Sequence, residues 1–257
     1  MLSSRNLAKH FDGVVAADQV SVEIAAGERV GLIGSNGAGK TTFVNMITGY
    51  LKPDAGSIAL DGRDITALGP RAIMRLGVAR SFQIPQLCAE MSVLDNMLVA
   101  AACGDGRLSF IQSSHTKEKV EASSGLLERF GLAEYRDKNA QVLPGGIRKL
   151  LDIALTMVAR PKILLLDEPT SGVSAEEKFQ IMEMIMQAVR AESITVLFVE
   201  HDMEVVSRFA ERVLAFYDGR IIADAPPQEA LNDPEVRRYV VGGELHRMDE
   251  EKARPRA

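Results

Sequence analysis

Three observations predict an α/β protein with a mainly parallel sheet, interrupted by a helical subdomain. Short apolar runs alternate with stretches of helical periodicity, as happens when strands are covered by helices on their faces. One such run, Val30-Gly31-Leu32-Ile33, feeds a glycine-rich loop, Gly34 to Thr42, and a helix-like segment, Phe43 to Ile47. From about residue 86 to 158 the strand signal gives way to helical spacing.

The loop reads Gly34-Ser35-Asn36-Gly37-Ala38-Gly39-Lys40-Thr41-Thr42. Its glycines allow the backbone to curl so that successive N–H groups converge on phosphate oxygens, and the following helix adds its positive end. Lys40 then supplies a point charge between β- and γ-phosphates, and Thr41 a hydroxyl for Mg²⁺. The plain alternative is a glycine turn with an incidental lysine. At average residue usage the spacing arises by chance in about one chain in a hundred of this length, and the strand before it and helix after it favour the phosphate loop.

Taken in order, residues 2–10 and 20–24 alternate as strands. Phe11 stands at a strand end, where it is either core or a platform on which an adenine ring stacks. Lys52 to Gly56 reads as a turn, Ser57 to Leu60 as a strand closed by Asp61-Gly62, and Gly77 to Phe82 as a strand ending at Gln83, after which Pro85 stops regular structure. Met91 to Ala102 and Lys117 to Phe130 are helical, and the Gly- and Ser-rich stretch Gly104 to Ser114 between them is expected to be mobile. Leu143-Pro144-Gly145-Gly146 opens a further helix with Ile147, Leu150, Leu151, Ala154 and Leu155 on one face. Ile163 to Leu166 is a buried-type strand closed by Asp167-Glu168-Pro169. The helix from Ala175 to Arg190 places Met182, Ile185, Met186 and Val189 in a stripe read as core filling. Ile194 to Val199 is again a strand, followed by Glu200-His201-Asp202. Val213 to Phe216 and Arg220 to Ala223 form a hairpin across Asp218-Gly219. From Glu244 the chain is charged and apolar-poor, which predicts a frayed tail.

The bulk composition narrows the function. A net charge of −5 and a pI near 5.5 give no basic footprint, so no nucleic-acid partner is expected. Cys88 and Cys103 do not make a zinc, redox or disulfide framework. The N-terminus lacks the apolar stretch of a signal peptide, and no apolar run approaches the ~20 residues that span a bilayer. A cytoplasmic protein that reaches the membrane only through a partner is expected.

A buried strand that delivers two acids complements a phosphate loop. Asp167 suits the shell of a hard cation, and Glu168, one step on, suits the water that attacks a γ-phosphate. The plain alternative is a strand whose terminal acids cap the next helix.

At this point the sequence resembles the ATP-binding subunits of ABC transporters, from residue 2 to about 243. The resemblance implies a P-loop NTPase core with an antiparallel β subdomain, formed by residues 1–85 and 159–243, a helical subdomain at 86–158, and a tail at 244–257. It implies ATP and Mg²⁺ as cofactors. Phe11 falls where the family stacks adenine, and Gly34 to Thr42 on its phosphate loop. Gln83 matches the glutamine that contacts Mg²⁺ and water, Asp167 the metal ligand, Glu168 the catalytic base, and His201 the γ-phosphate histidine.

Two departures concern elements that act in trans in this family, on nucleotide held by the other subunit of a head-to-tail pair. The signature, usually Leu-Ser-Gly-Gly-Gln, reads Leu143-Pro144-Gly145-Gly146-Ile147, so a phosphate-binding hydroxyl is replaced by a ring. The loop after the catalytic acid, usually with Asp or Asn, reads Ser171-Gly172-Val173-Ser174. Asymmetric ATP sites are the expectation, with a non-identical second ATP-binding subunit.

Asn45 to Gly49, Asp61 to Thr66, Gly77 to Gln83, Val199 to Met203 and Asp233 to Val236 resemble the subunits of branched-chain or hydrophobic amino-acid importers. That implies transmembrane permease subunits, a periplasmic solute-binding protein and a place on the cytoplasmic face of the inner membrane. The rivals are the ATPase of a lipid or lipopolysaccharide exporter and a non-transport ATPase of the same fold. The latter carries a long coiled-coil insertion, and the middle of this chain shows no sustained heptads.

Overall fold

Asp-Gly pairs turn the chain three times in the same way. Asp12-Gly13, Asp61-Gly62 and Asp218-Gly219 all have positive φ at both residues, the requirement of the two-residue hairpin turn whose twist matches its strands. The first joins β1 (Leu2–Phe11) to β2 (Val14–Ile24), with Phe11 opposite Val14. β3 (Arg29–Ile33) leads through the glycine loop into α1 (Lys40–Ile47). The second turn joins β4 (Ala55–Leu60) to the two-residue β5 (Arg63–Asp64), and α2 (Pro70–Arg75) follows. Neither β5 nor α2 is visible in the sequence reading, because each is too short to show a period.

The computed structural model describes residues 1–104 and 116–242. Residues 105–114 of the stretch expected to be mobile, and the tail from Glu244, lie outside them. The chain forms two units, Met1–Ile73 with the part from Leu197 onward, and Met74–Val196.

In the first unit β2, β1, β4 and β5 make an antiparallel sheet. Val20, Val22 and Ile24 alternate inward along β2 and are buried, as period-two burial requires. β3 lies parallel to β9 (Arg212–Tyr217), with Val30 opposite Arg212 and Ile33 opposite Ala215. The third Asp-Gly turn returns β9 as the antiparallel β10 (Arg220–Ala225). Phe43 of α1 and Phe216 of β9 are fully buried, with ring centroids 5.6 Å apart. Each buried ring contributes roughly 1.5–3 kcal/mol, so the pair seats α1 against the sheet that ends in the glycine loop.

In the second unit β6 (Val78–Ser81) runs parallel to β7 (Ile163–Asp167), Val78 opposite Ile163 and Ser81 opposite Leu166. Between them come α3 (Val93–Gly104), α4 (Lys117–Arg129) and α5 (Gly145–Met157), and after β7 comes α6 (Glu177–Ala191). The stripe Met182, Ile185, Met186, Val189 is buried, as core filling demands. On α5 the buried set differs from the apolar face read from sequence: Leu155 is half-exposed, while Lys149 and Asp152 are buried beside Ile153 and Met157. β8 (Thr195–Val199) crosses the boundary between the units and is followed by α7 (Met203–Phe209). Among the described residues no helix is long and apolar enough to cross a membrane.

Candidate functional site

Sequence candidates fall in both units, and each group has its own geometry. In the first unit two positions of the loop from Gly34 to Gly39 leave no room for a side chain, Gly34 and Gly39. Gly34 has φ +148°, and a Cβ on it would lie 2.4 Å from the Phe216 carbonyl oxygen. Gly39, with φ +107°, caps α1, and its Cβ would lie 2.7 Å from the Ala16 carbonyl oxygen. Both contacts are with rigid backbone, so the space belongs to the main chain. Gly37, by contrast, has open space around its Cβ position.

The loop is braced from the far end of the chain. The amide of Gly219, in the β9–β10 turn, donates to Ala38 O at 3.1 Å, and Gly219 O accepts from Asp18 N at 2.8 Å. Within the loop Ala38 N donates to Ser35 O. Lys40 is 5% exposed, and its Nζ donates to Gly34 O at 2.5 Å and Ser35 O at 3.0 Å. The ammonium therefore sits over the loop that its own helix begins. Ser35 and Thr42 are half-buried, while Asn36 and Thr41 are exposed. A glycine cradle with backbone crowding on one side, a helix N-terminus and a buried ammonium fit a polyphosphate.

Two further candidates belong to the same unit. Phe11 is 45% exposed, with Lys9 Nζ 5.5 Å from its ring centroid and Lys9 held at 2.6 Å by Asp54. An exposed, braced ring suits stacking better than core packing. His201 follows β8, where Glu200 N donates to Leu32 O at 3.3 Å. The next residue, Asp202, caps α7 by accepting from Glu204 N and Val205 N, which leaves His201 on the bend between strand and helix.

In the second unit β6 and β7 end side by side and bring their terminal residues together. Gln83 Nε2 donates to Glu168 Oε2 at 2.7 Å. Glu168 has φ +48°, an uncommon conformation for a residue with a side chain. A strained backbone under an acid at a strand tip is a feature found at functional sites. Asp167 is held by Arg80, whose Nη2 donates to Oδ2 at 2.6 Å between side chains 8% and 16% exposed. In this unit Gln83 and Asp167 each carry an oxygen of the kind Mg²⁺ prefers, as Thr41 does in the first unit.

The signature segment starts α5. Leu143 is buried and Pro144 and Gly145 are exposed. Pro144 occupies the cap position at φ −54°, its carbonyl accepts from Arg148 N at 2.9 Å, and no side chain caps the helix. A Cβ on Gly145 would meet nothing within 4 Å, whereas one on Gly146 would press Ile181 of α6 at 3.1 Å. Gly146 thus serves helix packing, and the open face of Gly145 has no internal cause. Ser174, in the second departing loop, is used locally: its hydroxyl accepts from Glu177 N and donates to Glu177 Oε2 at the start of α6.

Sequence reasoning missed Arg80, Lys149 and Asp152. The one available signal was the opposite-charge pair three positions apart on α5, between apolar residues. Asp152 accepts from Ser81 Oγ at 2.6 Å and Gln86 N at 2.9 Å, yet burial, the largest influence, raises its pKa above the ordinary carboxylate value. A raised folded-state value means full stability below the unfolded pKa of about 3.9 and loss as pH rises through the folded one. Asp152→Asn removes that titration. Its unfolding free energy relative to wild type is expected to improve from about pH 4 up to the raised folded-state value and to level off above it, measured by urea denaturation at a series of pH values; a flat difference throughout would contradict this.

Comparison with known proteins gives the same direction as the motifs. Residues 17–171 match the ABC transporter family. The high-affinity branched-chain amino acid transport ATP-binding protein LivG of Salmonella typhimurium is 36% identical over 249 residues, covering 94% of this chain and 98% of that protein. BraF of Pseudomonas aeruginosa, of the same description, is 33% identical over 250 residues, covering 94% and 98%. A probable branched-chain amino acid transport ATP-binding protein of Archaeoglobus fulgidus is 34% identical over 95% of this chain and 96% of its own length. The crystal structure of the ADP conformation of an ATP-binding cassette of an ABC transporter matches with a TM-score of 0.83 at 32% identity, over 92% of this chain and 96% of that one.

Proposed function

Because the chain belongs to the ABC transporter family and is an ATPase of that family, we propose that it powers an importer of branched-chain or related amino acids. The observation that carries the substrate class is near-full-length similarity to LivG and BraF. In this reading the chain docks on transmembrane permease subunits at the cytoplasmic face of the inner membrane. A non-identical second ATP-binding subunit and a periplasmic solute-binding protein complete the assembly.

The roles follow from the residues. Phe11 stacks the adenine, the loop amides from Gly34 to Thr42 receive the phosphates, and Lys40 moves from its loop carbonyls to the β- and γ-oxygens. Thr41, Gln83 and Asp167 would offer oxygen ligands to Mg²⁺, which would supply positive charge beside the phosphates. Glu168 takes the proton of the attacking water, Gln83 orients the Glu168 carboxylate, and His201 steadies the γ-phosphate.

Pro144 makes the two ATP sites of the assembly unequal. It lacks the hydroxyl and the amide that a serine offers to the partner's γ-phosphate, and a lost charge-assisted hydrogen bond costs about 1.5–3 kcal/mol. The site on this chain's own phosphate loop, completed by the partner's signature, carries the turnover. Restoring the hydroxyl with Pro144→Ser is expected to raise ATP turnover of the reconstituted complex towards roughly twice wild type, since a gain of that size equips the second site. In a Glu168→Gln background the same change is expected to return turnover. If the double variant stays as inactive as Glu168→Gln alone, Pro144 is not the cause of asymmetry.

The transport assignment is tested by affinity purification from the native membrane. Co-purification of permease subunits with a periplasmic binding protein, and ATP turnover stimulated by that protein loaded with leucine, are expected. Permeases without a binding protein, with turnover stimulated by lipid, would make the chain an exporter subunit.

A further inference from the structure

Helix α5 carries two opposite charges into the protein interior. Lys149 is 3% exposed and Asp152 4%. Such residues are almost never fully buried unless paired, and both bond to one short segment and the strand tip beside it. Lys149 Nζ donates to the carbonyls of Phe82 at 2.9 Å, Gln83 at 3.0 Å and Asp167 at 3.3 Å. Asp152 receives the Ser81 hydroxyl and the Gln86 amide. The two side chains therefore grip the segment at Ser81, Phe82, Gln83 and Gln86, and reach the residue immediately before Glu168. The Gln83 side chain closes the circuit onto Glu168 Oε2.

The helix that does this begins with the signature residues. One and a half turns separate Pro144 from Lys149, and a helix transmits displacement along its axis as a rigid rod. An ammonium bonded to three carbonyls in a low-dielectric interior holds their spacing firmly, because each bond is charge-assisted.

We propose that Lys149 and Asp152 are a positioning couple that keeps Gln83 and Glu168 in register, so that a shift of α5 at its signature end regulates water attack at this chain's own site. The inference rests on the ATPase reading above and adds a route by which the occupancy of one site governs the other. Lys149 touches neither nucleotide nor water in this scheme. It acts on the rate and leaves affinity alone.

The test uses the full chain, in its reconstituted complex for turnover and alone for nucleotide binding and amide hydrogen exchange. Lys149→Met keeps the stem and removes the charge. Its kcat is expected to fall about 100-fold, the size of effect a displacement of about 1 Å has on an aligned site, with KM and MgATP affinity within about threefold of wild type. Exchange is expected to quicken across residues 81–87 and 167–169. Lys149→Arg, which keeps charge and donors, is expected to recover kcat to within about fivefold of wild type. Unchanged kcat and exchange would overturn the proposal, as would a fall in kcat matched by an equal fall in affinity, the mark of a purely structural role. If Lys149→Met does not fold, Lys149→Gln is judged by the same criteria. A wild-type complex that binds no MgATP and hydrolyses none would instead defeat the ATPase reading, and the exchange comparison would still decide the couple.

Discussion

Glu168→Gln is expected to reduce ATP turnover of the assembled transporter by about 10²–10⁴-fold, the contribution of a positioned general base, while leaving MgATP affinity within about threefold. The substitution is isosteric. The Gln83 amide that donates to Glu168 Oε2 finds an amide oxygen in its place, and glutamine accepts the same φ of +48° with no new Cβ. The loss is therefore confined to the ability to take a proton. Steady-state phosphate release and equilibrium binding of a fluorescent ATP analogue separate the two quantities. Turnover close to wild type would mean that the attacking water gives its proton elsewhere, and that the partner's phosphate loop carries the activity.

The second large effect concerns binding. Lys40→Ala removes an ammonium that is 5% exposed and bonded to two loop carbonyls. Charge-assisted bonds to phosphate are worth about 1.5–3 kcal/mol each, so two of them raise the dissociation constant at least about 100-fold. At a nucleotide concentration 100 times the wild-type constant, wild type gains about 2.7 kcal/mol of stability, and the variant only about 0.4 kcal/mol. For a chain of this size that separates a thermal shift of roughly 5–10 °C from one of about 1 °C. Differential scanning fluorimetry with and without MgATP reads it directly. An undiminished shift in the variant would remove the phosphate loop from the binding site.

Much of the architecture is legible because its signals are local. Ile163 to Leu166 is a strand on composition alone, and each of the three Asp-Gly pairs specifies a turn through the backbone angles of two adjacent residues. The glycine loop is legible for the same reason: the conformation that Gly34 and Gly39 need is written in the residues themselves. What escaped the sequence depends on distant partners. Arg80 looks like an ordinary basic residue on a strand until Asp167, at the tip of the neighbouring strand, lies 2.6 Å from it. Lys149 and Asp152 look like a solvated pair until the carbonyls and amides they satisfy are known. Periodicity assigns faces to apolar residues, and it has no term for a charge whose solvent is the main chain. The short α2 and β5 were lost because six and two residues cannot display a period.

The brace between Gly219 and Ala38 has a consequence for how the protein is made. The glycine loop leaves the ribosome well before the hairpin tip that holds its shape. At 5–20 residues per second the delay is roughly ten to forty seconds. Throughout that interval the early strands exist without their late neighbour, the situation in which unpaired strand edges recruit the wrong partner. Nascent chains halted before the β9–β10 hairpin are thus natural clients for a chaperone, and nucleotide arriving before that point finds no finished cradle to occupy.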